Sequence, residues 1–224
     1  MTRGPCVPIL AHRILDRSVT IGYSVGLSPL DPMARTKEFD PARALENAMQ
    51  LFWLQGYEAT SVRELCEHMG IQKGSLYDTF GSKRALYLAA LERYLKLNLP
   101  PADFYDNLGS AKSTIAEIFA HKVDISVADK QCRGCFFVNT IVELAPHDAE
   151  FAAIGKEGRK EYEETFYRLL AIGQRTGDIR PERDITSLAN YLTNSMFGLR
   201  VMAKTTRDRQ VLEGIVETTL SVLD

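Results

Sequence analysis

Residues 60 to 86, TSVRELCEHMGIQKGSLYDTFGSKRAL, constrain the fold of this chain more than any other stretch. Val62, Leu65 and Met69 recur at i, i+3 and i+7, which predicts a short helix opened by Thr60 or Ser61 as N-cap. Gly70 stops it, because a tight turn between two helices needs a residue that takes positive φ without a Cβ clash. A second short helix follows, with Ile71 and Leu76 facing inward and Gln72, Lys73, Ser75 and Tyr77 left for solvent or a partner. This is the grammar of a helix-turn-helix. A second helix with amide, basic and small polar groups outward can enter a major groove and hydrogen-bond base edges.

Helical corners of this kind occur in many unrelated proteins, so periodicity alone does not assign a function. The register of four further residues does more. In MGIQKGSLYDTFGSKRALYLAAL, Tyr77, Phe80, Ser82 and Lys83 fall where they do in TetR-type transcriptional repressors, and the run resembles the N-terminal signature of that family. The preceding ALENAMQLFWLQGYEATSVRELCEHMG fits the same pattern, with an amphipathic first helix, a Gly-Tyr exit and a Thr-Ser cap. The resemblance is contiguous over residues 40 to 95.

It implies an all-α protein, with a three-helix helix-turn-helix head at 33–85 joined to a larger helical ligand-binding and dimerisation domain at 86–224. It also implies a DNA-binding regulator, a repressor released from double-stranded operator DNA by a small-molecule inducer or by cysteine modification. On the head, Thr60, Tyr77 and Lys83 resemble the family's phosphate contacts, which fix register without reading sequence, and Arg63 is a candidate to join them. Gln72, Lys73 and Ser75 are the candidates for base edges, Gln suiting adenine and Lys the acceptors of guanine. Asp78 departs from this chemistry, since a carboxylate near phosphates is repulsive unless it accepts from cytosine or caps a neighbour.

Charge and length narrow the partners. With a formal net charge of -2 over 224 residues, the surface as a whole cannot coat polyanions, so any DNA-binding face must be local. A chain that is 45% hydrophobic and 25% charged reads as globular, with length for one large or two modest cores. No run approaches the roughly 18 to 20 apolar residues of a membrane span. Four cysteines without a secretory signal point to a reducing compartment, and the expected location is the cytoplasm.

Residues 1 to 32 contain Pro5, Pro8, Pro29 and Pro32 and show no clean period. They read as an upstream extension, either disordered or produced by an early start codon; an ordered arm is the alternative. Arg35 and Lys37 are candidates for a flexible arm on the phosphate backbone or in the minor groove, or are simply solvated. Asp40 and Pro41 then open a helix to about Gln55, closed by Gly56. Ser82 caps a fourth helix to about Asn98, ended by Pro100 and Pro101. Further helices are expected near 110–127, 135–144, 148–174, 185–204 and 208–222. The last two carry Leu188, Leu192, Met196, Leu199, Leu212, Ile215, Val216 and Leu220, more apolar surface than their own core needs. In the resembled family these helices form a four-helix bundle with a second subunit, so a homodimer is expected; a monomer core is the other use of such residues.

The second informative stretch is CRGCFFVNTIVELAPHD. Its end resembles a segment found in TetR-type proteins that include sensors of electrophiles or oxidants. Cys135, Asn139 and Glu143 recur at i+4 and share one helix face. Cys135 near a helix N-terminus, with Arg133 beside it, has the setting of a reactive thiolate. It equally fits a buried small hydrophobe, since free cysteine is among the most buried residue types. Candidate ligand residues are Tyr94, Phe119, Cys135, Asn139, Phe166, Tyr191 and Asn194, polar or aromatic groups at otherwise apolar positions. Cys132 with Cys135, flanked by His121 and His147, matches no zinc spacing, and a disulfide on oxidation is the more plausible chemistry. No phosphate loop, nucleophile elbow or His-Glu-x-x-His is present, so neither an enzyme nor a cofactor is expected. The reading from another class is a helical small-molecule-binding protein whose head contacts protein instead of DNA.

Overall fold

The computed structural model describes residues 39–98 and 109–224. The expectations for residues 1–32 and for Arg35 and Lys37 lie outside the described residues. Within them all regular structure is helical. The elements are α1 (Pro41–Gln55), α2 (Val62–Met69), α3 (Lys73–Phe80), α4 (Lys83–Asn98), α5 (Ala111–Ala128), α6 (Phe136–Leu144), α7 (Ala149–Thr176), α8 (Ile185–Met202) and α9 (Arg209–Leu220), with a 3-10 turn at Ser221–Leu223. No described helix is long and apolar enough to cross a membrane.

The chain divides into two compact units, and the first reaches Leu97. The boundary expected at 85 falls inside α4, and α4 packs with the helices before it. Tyr87 meets Phe52 edge-on at 4.9 Å, Tyr94 meets Trp53 at 4.9 Å, and the Arg93 guanidinium binds the Glu46 carboxylate at 2.6 Å. Leu65, Leu76, Leu86 and Ala48 complete this core, each fully buried. Burying a leucine or aromatic side chain contributes roughly 1.5–3 kcal/mol, and it is this packing that holds helices as short as α2 and α3, which are marginal alone.

The helix ends follow local chemistry. The Asp40 carboxylate accepts from the Ala42 N–H at 2.9 Å, with Pro41 at the first helical position. Ser61, not Thr60, caps α2: its hydroxyl accepts from the Glu64 N–H, and the Glu64 carboxylate accepts from the Ser61 N–H at 2.8 Å. Those bonds from Ser61 hold the Glu64 carboxyl below its usual range. Gly70 closes α2 at φ +68°, in the left-handed region expected of it.

In the second unit, Ile115, Phe119, Phe166, Leu169, Leu170, Leu192, Met196, Leu199 and Leu212 form one core shared by α5, α7, α8 and α9. The long α7 approaches α6 closely where it lacks side chains. A Cβ at Gly158 would lie 2.1 Å from the Phe137 ring, so the ring occupies the space a side chain would fill. The Asp178 carboxylate ties the α7–α8 loop to the start of α5, accepting from the Ser110 hydroxyl at 2.7 Å and the Lys112 N–H at 2.8 Å.

Candidate nucleic-acid interface

The head builds its outward face by fixing its inward one. Ile71 and Leu76 are buried, and this pins the rotation of α3 so that Gln72, Lys73, Gly74, Tyr77 and Asp78 are exposed and Ser75 is half-buried. The base-edge candidates Gln72, Lys73 and Ser75 thus lie together at the N-terminal turn of α3, the end a recognition helix presents to a groove. Gln72 is itself the N-cap and makes no side-chain capping bond, so the helix does not engage its amide there.

The lysines have aromatic neighbours. Lys73 Nζ lies 6.0 Å from the centroid of Tyr77, one turn along α3. Lys83 Nζ lies 4.2 Å from the centroid of Tyr57, in the turn after α1. Lys83 is the first residue of α4, whose start is capped by the Ser82 hydroxyl accepting from the Ala85 N–H at 3.0 Å. Arg63, on the exposed face of α2, keeps a loose contact with Glu67 at 3.7 Å.

Thr60 is a correction. It is fully buried, and its hydroxyl donates to the Gly56 carbonyl at 2.6 Å. That bond closes the α1–α2 turn and commits the hydroxyl proton inside the protein, leaving no exposed side-chain donor for a phosphate. Two residues were not singled out by sequence for this face. Tyr57 was legible only as the aromatic Gly-Tyr exit of α1, and Gly74 carried no sequence signal; a Cβ at Gly74 would meet nothing within 4 Å.

The seven candidate ligand residues are divided between the two units. Tyr94 belongs to the head, against Trp53. Phe119 and Phe166 stack on each other at 5.9 Å inside the core of the second unit. Tyr191 and Asn194 face outward on α8. Cys135 and Asn139 remain close to one another along α6. The Asn139 amide donates to the Arg133 carbonyl at 2.9 Å and its oxygen accepts from Lys204 at 3.4 Å.

Cys135 is buried at the N-cap of α6. Arg133, expected beside it, pairs with Asp129 at 3.1 Å. Sequence reasoning missed two other cations, Arg200, which bonds the turn before it, and Lys122. Arg200, only 6% exposed, donates to the carbonyls of Lys122 at 3.2 Å and Gly134 at 2.6 Å and to the Ser126 hydroxyl. Burial pushes the Lys122 ammonium down from its ordinary value; the Cys135 sulfur opposes that shift and the like charge of Arg200 adds to it. A buried arginine reads as an ordinary polar position in a helix, so nothing in the sequence marked it. Cys132 stands in the same turn with φ at +52°, and both thiols are free. No group of three or more His, Cys, Asp or Glu among the described residues is arranged to hold a metal.

Comparisons with known proteins show the family. Residues 44–90 match the family described as bacterial regulatory proteins, tetR family, and residues 111–219 match the tetracyclin repressor-like C-terminal domain. The chain is 38% identical over 194 residues to the uncharacterized HTH-type transcriptional regulator YezE of Bacillus subtilis (strain 168), covering 86% of this chain and 100% of that one. The chain belongs to the TetR family. A second TetR-type relative, the HTH-type transcriptional repressor ComR of Escherichia coli (strain K12), is 33% identical over 188 residues, 83% of this chain and 90% of that one. Among solved structures, the TetR family regulator CifR, as a cysteine mutant complexed with 26bp double-strand operator DNA, superposes with TM-score 0.75 at 32% identity, covering 85% of this chain and 100% of that one. The protein is thus a DNA-binding transcriptional regulator of the TetR family, a non-enzymatic class with repressors among its members.

Proposed function

We propose that this TetR-family regulator is a repressor that binds a two-fold operator as a homodimer and leaves it on binding a small-molecule inducer or on modification of Cys135. The observation that carries the reading is the head's outward face. Gln72, Lys73 and Ser75 read base edges from the start of α3, while Tyr77, Lys83 and Arg63 hold phosphates. A head that contacts protein instead gains no support from a relative solved on operator DNA.

Dimerisation through α8 and α9 is supported by what these helices leave uncovered. Tyr191, Val201 and Met202 on α8 and Val211 on α9 are large and exposed. Gly198 and Gly214 stand in the same helices, and a Cβ at either would meet nothing within 4 Å. A helix-interior glycine costs about 0.5–1 kcal/mol relative to alanine, and close approach of a second subunit's helix gives that cost a purpose.

Release by Cys135 has a physical route. Added bulk on that sulfur displaces the adjoining Gly134, whose carbonyl holds Arg200 on α8. The helix that carries the proposed dimer face then shifts, and the heads no longer match successive major grooves. Coupling is reciprocal, so operator weakens inducer binding by the same factor.

The test is a gel shift on DNA upstream of its own coding sequence, run reduced, with a mild electrophile, and with Cys135→Ser. Binding lost with electrophile and kept in the variant supports the thiol route. Binding indifferent to electrophile leaves Cys135 in the core and a non-covalent inducer in its place. Absence of sequence-specific binding overturns the repressor reading.

A further inference from the structure

We propose that Tyr57 is a positioning residue for DNA binding, holding the Lys83 ammonium on its ring face at the place where a phosphate is met. The inference rests on the reading of Lys83 as a phosphate contact and adds what puts that cation there.

Lys83 occupies an electrostatically poor position. It is the first residue of α4, where the helix dipole presents partial positive charge and where anions, not cations, are favoured. A lysine there would swing into solvent through its four rotatable bonds, and fixing it on a phosphate would cost that freedom at the moment of binding. The Tyr57 ring supplies the missing negative potential. Its π-face lies 4.2 Å from Lys83 Nζ, inside the range of a cation–π contact.

The ring is itself fixed. It meets the Tyr87 ring edge-on at 5.0 Å and 75°, and lies at 27° to Phe52 with centroids 6.3 Å apart. Tyr87 is fully buried one turn along from Lys83 on the same helix, so the ring is anchored to the helix whose first residue it braces. Gly56, at φ +89°, ends α1 and starts the turn that brings Tyr57 there. Lys83 is itself only half-buried, which leaves its side chain solvent-facing surface with which to meet a phosphate. An ammonium already placed loses less on binding, so the ring acts on affinity through Lys83 without touching DNA.

The full-length protein is titrated with the upstream duplex, and with mixed-sequence duplex DNA as a sequence-independent probe, over a series of salt concentrations. Lys83→Met is expected to lower the slope of log affinity on log salt by about 0.9 per head, one phosphate's worth of released counterions. Tyr57→Leu is expected to weaken binding about three- to tenfold per head, with little further loss when Lys83→Met is already present. Tyr57→Phe keeps the ring and restores affinity. Fluorinated phenylalanines at position 57 keep the shape while draining the ring face, which separates the cation contact from a packing defect. Affinity is expected to fall stepwise with fluorination in the Lys83 protein and to stay level in Lys83→Met. In the free protein, the Lys83 ε-methylene protons are expected upfield, returning to ordinary shifts in Tyr57→Leu.

An unchanged salt slope in Lys83→Met defeats the phosphate reading, and the positioning role with it. A normal Lys83 effect combined with additive losses, or with indifference to fluorination, overturns the role of Tyr57 alone.

Discussion

Arg200 Nη2 donates to the Gly134 carbonyl at 2.6 Å, joining α8 to the turn that precedes Cys135 across 66 positions of sequence. The same guanidinium reaches the Lys122 carbonyl and the Ser126 hydroxyl on α5, so one buried side chain fastens three segments. Removing it leaves buried acceptors unmade. Arg200→Met is expected to destabilise the second unit by about 2–4 kcal/mol, read as a lower urea midpoint at unchanged slope. If that midpoint stays within error of the wild type, the clasp does not hold the fold.

Gly134 is constrained from both sides. Its φ is +70°, and a Cβ there would lie 2.8 Å from the Arg200 carbonyl oxygen and from Lys204 Cγ. Gly134→Ala is expected to cost about 1–3 kcal/mol. Calorimetry on Gly74→Ala supplies the contrast, since that site has open space and ordinary helical backbone; there a small gain in stability is expected.

Gly198 tests the proposed dimer. Gly198 is exposed and a Cβ there meets nothing within 4 Å, so Gly198→Leu starts from open space on the subunit's surface. The expected result is loss of the dimer by light scattering, with helical content preserved and operator affinity reduced. A dimer that persists unchanged places the interface elsewhere.

Asp178 makes stability depend on acid. The hydrogen bond from the Ser110 hydroxyl first, then the Lys112 N–H and the Lys112 charge, hold its carboxyl below the usual range. The native state therefore releases this proton more readily than the unfolded chain. Its stabilising contribution is complete above the ordinary aspartate value of about 3.9 and is lost as pH falls through the lower native one. Thermal midpoints measured from about pH 5 down to pH 2 are expected to fall less steeply in Asp178→Asn than in the wild type.

Gln72 and Lys83 separate specificity from affinity. Gln72→Ala is expected to cost about 1–3 kcal/mol at one base-pair position, without altering the salt slope. Competition between operator variants at fixed salt measures it. A uniform loss across all sequences would instead make Gln72 a backbone contact.

Much of the architecture was legible because helix ends are local. Asp40 accepts from the Ala42 N–H two residues on, and Gly70 stops a helix through its own backbone angle, both as expected. The burial of Ile71 and Leu76 followed from periodicity, and with it the outward set on α3. Where the sequence left alternatives open, the packing decided between them. Thr60 and Ser61 are adjacent and both can cap, and only the Gly56 carbonyl, already in reach of Thr60, decided between them. Tyr191 and Asn194, candidate ligand residues as polar or aromatic groups at otherwise apolar positions, are exposed.

The sequence by itself determined the all-helical class, the helix-turn-helix and the residues its second helix presents, since these depend on spacings of three or four residues. Only the tertiary structure decided that α4 packs with the head, that Arg200 rather than Arg133 joins the Cys135 turn to other helices, that Glu161 lies buried on α7, and that Tyr57 sits beneath Lys83. Periodicity tells which face of a helix is buried. It does not tell against what, because the partner stands dozens of positions away and is selected by how all the helices pack together.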